Sequence, residues 1–436
     1  MNIFWQYLQA KQNFHPTLVE LAVKAEKEAT PEFNQITPIV QINQLRVLTA
    51  FQQAGISEFH LKDGTGYGYG DIGREGLETV YALTFGTEAA LVRAQIISGT
   101  HAIALALSSL LNSGDELLSV TGRPYDSLAA IIGITRARQG SLRDRGVNYR
   151  EIPLTAEGLP DYQKIMTAVT EKTRVVFIQR SRGYTWRKSL CVQEIGKLVK
   201  FVKNIKAKVI CFVDNCYGEF VEEREPTHVG ADLAAGSLIK NPGGGLAPTG
   251  GYLVGKKELV ARTADWLIAP GLGNKIGTNL GLGHLFYQGF FMAPQIVGEA
   301  LKGAIFAAHF FTSLGFEASP PPGSPRSDLV QALKLNLPEG VKAFCRGIQS
   351  ASPIDSHAVP ESSFLPGYQD PVIMAAGTFV QGASLELSAD APLRPPYIVY
   401  VQGGLSYAHS LLGLLSGAQE LVNQGLVSGF AEKVRA

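Results

Sequence analysis

Leu18, Leu21, Ala22 and Ala25 fall on one side of a helix across TLVELAVKAEKEA, and residues 43–53 continue with helical spacing. The first sixty residues are therefore expected to be helical. Residues 62–76 (KDGTGYGYGDIGREG) are too dense in Gly and Tyr for a regular element and are expected to form a loop. A helix over LETVYALTFG, ending on Gly86, follows. From there the pattern alternates. Residues 89–98 read as a buried strand, 100–111 as a helix stopped by Asn112-Ser113-Gly114, and 116–120 as a short strand. Residues 173–179 have a continuous apolar centre, 192–203 have helical spacing, and 209–213 form another apolar run ending on Asp214. Short, wholly apolar strands separated by helices predict a parallel sheet covered on both faces, an α/β fold class. The remainder changes character: a helix over 294–311, a turn-rich SPPPGSPR, candidate strands at 371–375, 384–387 and 397–402, and a last helix over 406–423. The pattern thus predicts a helical arm (1–60), a large α/β domain (61–300) and a smaller α+β domain (301–436).

Composition narrows the class. Of 436 residues, 45% are hydrophobic and 18% charged, which excludes disordered, collagen-like and coiled-coil chains. Thirty-nine Lys and Arg against 38 Asp and Glu leave a net charge of +1, so no long-range field draws the protein to nucleic acid or an anionic membrane. The four cysteines form no C-x-x-C pair, and Cys211 and Cys216 lie in or beside an apolar run, which fits buried thiols in a reducing compartment. No signal peptide is evident at the N-terminus, and no stretch approaches the roughly 20 apolar residues of a membrane span. A cytoplasmic location is expected.

Four places carry candidate chemistry. Ser98-Gly99-Thr100-His101 sits where a strand gives way to a helix; it is either an anion site of free N–H groups or an ordinary cap. Asp214 stands at the carboxyl end of a buried strand, where open α/β sheets place ligands, or else caps a turn. Lys240 leaves an apolar segment into a loop of small residues, as a base, a Schiff-base former, or a lysine reaching water. The run Gly64 to Gly70 lacks the preceding strand of a dinucleotide fingerprint and reads as an active-site or interface loop. No P-loop, G-x-S-x-G elbow or H-E-x-x-H is present, and Ser237 to Lys240 matches S-x-x-K without the S-D-N and K-T-G that would accompany it. The eight histidines are scattered, so no metal site is expected.

Taken in order, DIGREGLETVYALTFGTEAALVRAQIISGTHAI, SGDELLSVTGRPYDSL, VDNCYGE, GADLAAGSLIKNPGG and TGGYLVG resemble the fold-type I pyridoxal-phosphate enzymes of Cys/Met metabolism. Within that family the chain is most similar to the methionine γ-lyase-like or "aluminium resistance" subgroup. The resemblance implies the aspartate aminotransferase fold and pyridoxal 5'-phosphate as cofactor. It implies that Lys240 holds the cofactor as a Schiff base and then moves protons, that Asp214 pairs with the ring nitrogen, and that Tyr125 stacks on the ring. Ser98, Gly99, Thr100 and Ser237 would hold the phosphate. Tyr67 would lie near it in a loop where the lyases usually show Tyr-x-Arg; here Tyr67 is followed by Gly68 and Tyr69, with Arg74 further on. The family's Ser or Thr before the lysine is Ile239 in this chain. Arg394 or Arg182 would meet the substrate carboxylate, and Arg180 is placed to face the site as well.

The activity implied is a carbon–sulfur lyase, by β- or γ-elimination, on a sulfur amino acid such as cystathionine, cysteine or methionine. An aldolase, decarboxylase or transaminase shares the cofactor logic, and a non-catalytic stress-resistance protein shares the scaffold. A nicotinamide dehydrogenase lacks its fingerprint. The resemblance also implies a homodimer or homotetramer binding a small amino acid, with residues 64–70 and 270–281 as cross-subunit contributors.

Overall fold

The computed structural model describes residues 3–11, 13–62, 64–135 and 139–430. They divide into two compact units, residues 41–294, and residues 1–40 together with 295–436. This division departs from the three consecutive segments expected. The apolar stripe of the first forty residues does not stand as an arm: Leu18, Val19, Ala22 and Ala25 are buried in one core with Phe306, Phe310, Phe344 and Leu411. Residues 41–60 group with the α/β unit.

The α/β unit carries β1 (Ala89–Arg93), β2 (Glu116–Ser119), β3 (Asn148–Glu151), β4 (Thr173–Gln179), β5 (Ile210–Asp214), β6 (Leu233–Ser237) and β7 (Gly251–Gly255). Their order is β1-β7-β6-β5-β4-β2-β3. Strands β3, β2, β4, β5 and β6 pair in parallel, and β7 runs against both β6 and β1. The strands expected at 116–120 and 209–213 have the cause proposed for them, since β2 and β5 are buried at every position; β6 and β7 are buried throughout as well. Ala102, Ile103 and Ala106 of the helix Gly99–Leu110 pack into one core with Phe177, Phe212, Leu233 and Leu253.

Local differences have local causes. The strand expected over 89–98 stops at Arg93 because its partner β7 begins at Gly251, after a left-handed Gly250 (φ 113°), so the ladder has nothing further to pair with. The loop expected through residue 76 ends at Asp71, whose carboxylate accepts the Arg74 N–H at 2.9 Å and starts the helix Ile72–Thr84.

The other unit carries β8 (Glu317–Ser319), β9 (Gln331–Lys334), β10 (Val372–Ala375), β11 (Ser388–Pro392) and β12 (Ile398–Gln402), in the order β10-β11-β12-β9-β8 and antiparallel throughout. The strand expected at 384–387 lies a few residues later, as β11. The helices Pro338–Ser350 and Tyr407–Asn423 meet backbone to backbone at Gly347. A methyl group there would collide with the Ser416 carbonyl oxygen and come within 2.5 Å of Gly417 Cα. Gly347→Ala is therefore expected to cost about 1–3 kcal/mol by overpacking, measured as a lowered thermal midpoint; an unchanged midpoint would mean that the helices have room to separate.

Candidate active site

Three neighbouring strands deliver polar residues at their carboxyl ends: Gln179 from β4, Asp214 from β5 and Ser237 from β6. Gln179 and Asp214 stand in register, and Asp214 is opposite Ala235. Lys240 follows Ser237 by three residues and caps the short turn Asn241–Gly243. A strand end with a helix starting beside it is where ligands bind in an open α/β sheet.

The helix that starts there is Gly99–Leu110. The Ser98 hydroxyl accepts the His101 N–H at 3.1 Å, leaving the first-turn N–H groups of Gly99 and Thr100 with no acceptor inside the helix. Gly99 is packed against the neighbouring strand end: a Cβ on it would lie 2.8 Å from Cys216 Sγ and 3.4 Å from Ser237 Cβ. Ser237 Oγ accepts the Ile239 N–H at 3.3 Å, so its own hydrogen is free for another acceptor. Two amides at the positive end of a helix and one hydroxyl form a cradle suited to a phosphate.

Tyr125 is fixed at both ends. Its N–H donates to Gln179 Oε1 at 3.1 Å, and its hydroxyl lies 3.2 Å from Thr100 Oγ1. Gln179 in turn donates to the Ser181 carbonyl at 3.0 Å. Burial first, and then Asp214, push the Tyr125 phenol well above its usual value. Asp214 is 5% exposed, and its Oδ1 accepts the Cys216 N–H at 3.1 Å. Burial lifts this carboxyl above its ordinary value against the opposing pull of Lys240, Cys216 and Arg187.

Lys240 is half-buried among these groups. Its Nζ lies 3.9 Å from the centroid of the Tyr217 ring. Burial disfavours the ammonium, but Cys216, Tyr217, Asp214 and Tyr125 gathered around it outweigh that, and the amine is held well above the usual lysine value. Cys216 is itself buried, with its thiol pushed up by desolvation and then by Asp214. The donor set fits the pyridoxal phosphate that the sequence implies: an amine for an aldehyde, a buried carboxyl for a ring N–H, an aromatic residue, and the cradle at Gly99.

The turn after β5 rests on a buried polar cluster. Arg180, expected to face the site, is fully buried and donates to Asn215 Oδ1 at 2.7 Å and to Glu222 Oε1 at 2.8 Å. The Asn215 amide donates to Glu225 Oε2 at 3.0 Å. Arg182, two residues beyond Arg180, is fully buried too. Glu219 accepts the Tyr252 hydroxyl at 2.7 Å on one oxygen, while the other has no hydrogen-bond partner.

Other expected residues stand elsewhere. Tyr67 is 68% exposed and stacks on Tyr69, with ring centroids 5.4 Å apart. Arg74 is buried and ties this loop down, donating to the carbonyls of Gly68 at 2.9 Å and Gly277 at 2.8 Å. Arg394 belongs to the other unit and pairs with Asp370 at 2.8 Å. Sequence reasoning reaches Asp214 but not Cys216, Tyr217, Glu219 or Gln179. The only signal for the first three is that they follow Asp214 directly at a strand end. Gln179 carries a similar signal at the end of β4. Among the described residues no group of three or more His, Cys, Asp or Glu is placed to hold a metal, and no helix is long and apolar enough to cross a membrane.

Burial pushes the Glu219 carboxyl up to about 8, against the hydrogen bond from Tyr252. Between the ordinary value of 4.5 and about 8, folded Glu219 keeps a proton that the unfolded chain has lost, so stability falls as pH rises through that window. Glu219→Gln removes this slope. Its thermal midpoint is expected to gain on the wild type steadily from pH 5 to 8 and then no further; parallel profiles would place the titration elsewhere.

Residues 18–422 match the model of the methionine gamma-lyase family. The chain is 50% identical to a Listeria monocytogenes protein provisionally named a cystathionine beta-lyase involved in aluminium resistance, over 92% of this chain and 99% of that one, with a TM-score of 0.90. A carbon-sulfur lyase involved in aluminium resistance from Clostridium novyi is 46% identical, over 97% of this chain and all of that one (TM-score 0.92). CalE6, a methionine gamma lyase from Micromonospora echinospora, is 17% identical over 83% and 91% of the two chains (TM-score 0.54) and shares the fold. The fold class is accordingly the one expected, that of the fold-type I pyridoxal-phosphate enzymes. By the extent of the family match and by its identity to these full-length relatives, the chain belongs to the methionine gamma-lyase family.

Proposed function

We propose that this protein is a pyridoxal-phosphate-dependent carbon–sulfur lyase acting on a sulfur amino acid such as cystathionine, cysteine or methionine. The observation that carries the reading is the convergence of Lys240, Asp214 and Tyr125 beside the cradle formed by Gly99, Thr100 and Ser237. The names of the Listeria and Clostridium relatives support the carbon–sulfur bond as the one broken.

Gly99 and Thr100 would offer N–H groups to the phosphate, with the hydroxyl of Ser237; Ser98 sets their geometry by capping the helix. Asp214 would keep the ring nitrogen protonated, and Tyr125 would lie on the ring. When bound, the cofactor supplies an electron sink for charge developing at the substrate Cα. The protein's own part is proton handling and orientation. Lys240 would carry the cofactor on its amine and act as the base at the Cα proton, and Tyr125, hydrogen-bonded to Thr100, would exchange protons with the substrate. For a β-elimination the electron pair of the carbon–sulfur bond leaves with sulfur. With one water, the products are a thiol, ammonia and a 2-keto acid. A γ-elimination needs a further deprotonation at Cβ.

A guanidinium pairs with the substrate carboxylate through two parallel hydrogen bonds, and Arg182 and Arg394 are the two candidates. The exposed Tyr67 is proposed to serve the phosphate site of a second copy in a cytoplasmic homodimer or homotetramer, and light scattering that shows a monomer would remove that part.

The purified wild type is expected to show a visible absorption band, or to gain one on adding pyridoxal phosphate, and Lys240→Ala to lack it. A colourless wild type that gains no band would overturn the proposal. With a panel of sulfur amino acids, thiol, ammonia and keto acid are expected in equal amounts, and Tyr125→Phe is expected to lower kcat by about 100-fold. Release of carbon dioxide or transfer of the amino group would instead indicate a different reaction of the same cofactor.

A further inference from the structure

Tyr217 adopts a φ of 71°, in the left-handed region that a bulky side chain rarely enters. Such a conformation persists only where its surroundings over-determine it. Here they do. The Cys216 N–H is held by Asp214, the Gly218 N–H donates to the Asn215 carbonyl at 2.9 Å, and the Asn215 side chain bridges Arg180 and Glu225. One more bond ties the turn to the residue after Lys240: the Asn241 amide donates to the Glu219 carbonyl at 2.9 Å. The result is a ring laid face-on to an amine, with Nζ 3.9 Å from the ring centroid. That is well inside the range in which a cation is drawn to an aromatic face, and the attraction is greatest where water is excluded.

We propose that Tyr217 is a further residue of the catalytic group, its ring face seating the Lys240 ammonium so that a proton taken up by the amine is held there and the amine stays aimed into the site. This rests on the reading of Lys240 as the base. A ring face attracts the charged amine and does little for the neutral one, so it makes Lys240 a better proton acceptor. The other groups facing the amine are Asp214 from β5, Cys216 from the same turn, Tyr125 from the start of the helix Asp126–Ile132, and Glu219 behind it. They are common to every variant below, so differences between variants isolate the ring.

The test uses the full-length chain, freed of cofactor by dialysis against hydroxylamine, and reads acetylation of Lys240 by acetic anhydride from pH 7 to 11 by mass spectrometry, with exposed lysines of the same chain as reference. Tyr217→Phe is expected to keep the wild-type profile. Tyr217→Leu and Tyr217→Asn are expected to bring the rise in reactivity to a pH about one unit lower, which is about tenfold faster labelling on the rising limb. Easier access alone would speed alkylation of the neighbouring Cys216 thiol by an uncharged reagent as much as it speeds acetylation of Lys240, and equal gains at the two residues would overturn the proposal. So would a Phe variant that shifts as far as Leu, since the hydroxyl rather than the ring face would then be responsible. Asn tolerates the left-handed backbone, so it decides the matter if circular dichroism shows the Leu variant unfolded. Absence of a visible band in the wild type after adding pyridoxal phosphate would defeat the functional reading while leaving the labelling comparison intact.

Discussion

A guanidinium sealed from water beneath the turn that follows β5 is the constraint on which the site depends. Arg180 has no exposed surface, and a buried charge is tolerated only when it is paired and hydrogen-bonded. Its two bonds, to Asn215 and Glu222, fix the residue immediately after Asp214. Glu225 closes the arrangement by accepting from Asn215 and from the Phe220 N–H. Strand ends alone would bring Gln179, Asp214 and Ser237 to one edge of the sheet. The clamped turn sets what faces Lys240. Gly218 belongs to the same device, since a Cβ there would collide with the Arg180 guanidinium.

The charge balance seen from outside says little about this interior. A net charge of +1 conceals a site where one half-buried amine is ringed by a buried carboxyl, a buried thiol and two half-buried phenols. Burial raises the Tyr125 phenol, the Asp214 carboxyl and the Cys216 thiol toward their neutral forms, while the groups around the amine hold it toward its charged one. The resting site is thus rich in exchangeable protons held by groups of different acidity, which suits a reaction that removes a proton at one atom and delivers one at another.

What could be read from the sequence followed burial. Residues 209–213 were legible because a strand covered on both faces is apolar throughout, and Asp214 stood out as the polar residue that ends it. Lys240 stood out for the same reason at the end of β6. The edge strand β3, NYRE, is largely exposed and has no such run, and β7 is a short GYLVG between glycines; neither carries a strand pattern of its own. Arg180 read as a charge facing the site, yet it is used up on Asn215 and Glu222, a distinction that only three-dimensional neighbours reveal. The left-handed Tyr217 has no sequence signal, because its conformation is imposed from outside the turn.

The antiparallel strand β7 has a consequence for how the chain is made. In the sheet, β1 stands at an edge and pairs with β7 alone, and Gly251 faces both Arg93 of β1 and Ser237 of β6. A ribosome delivers β1 first and β7 last of the seven. The strand leading to Gly99 and the strand leading to Lys240 therefore share no strand partner until residue 251 has been synthesised, and before then only the packing of the helix Gly99–Leu110 joins them. Long-range pairing of this kind is slow and leaves edges open in the meantime. A nascent chain halted before residue 251 would carry Gly99, Asp214, Ser237 and Lys240 with β1 still unpaired, so the strand that leads into Gly99 is locked into the sheet only late in synthesis.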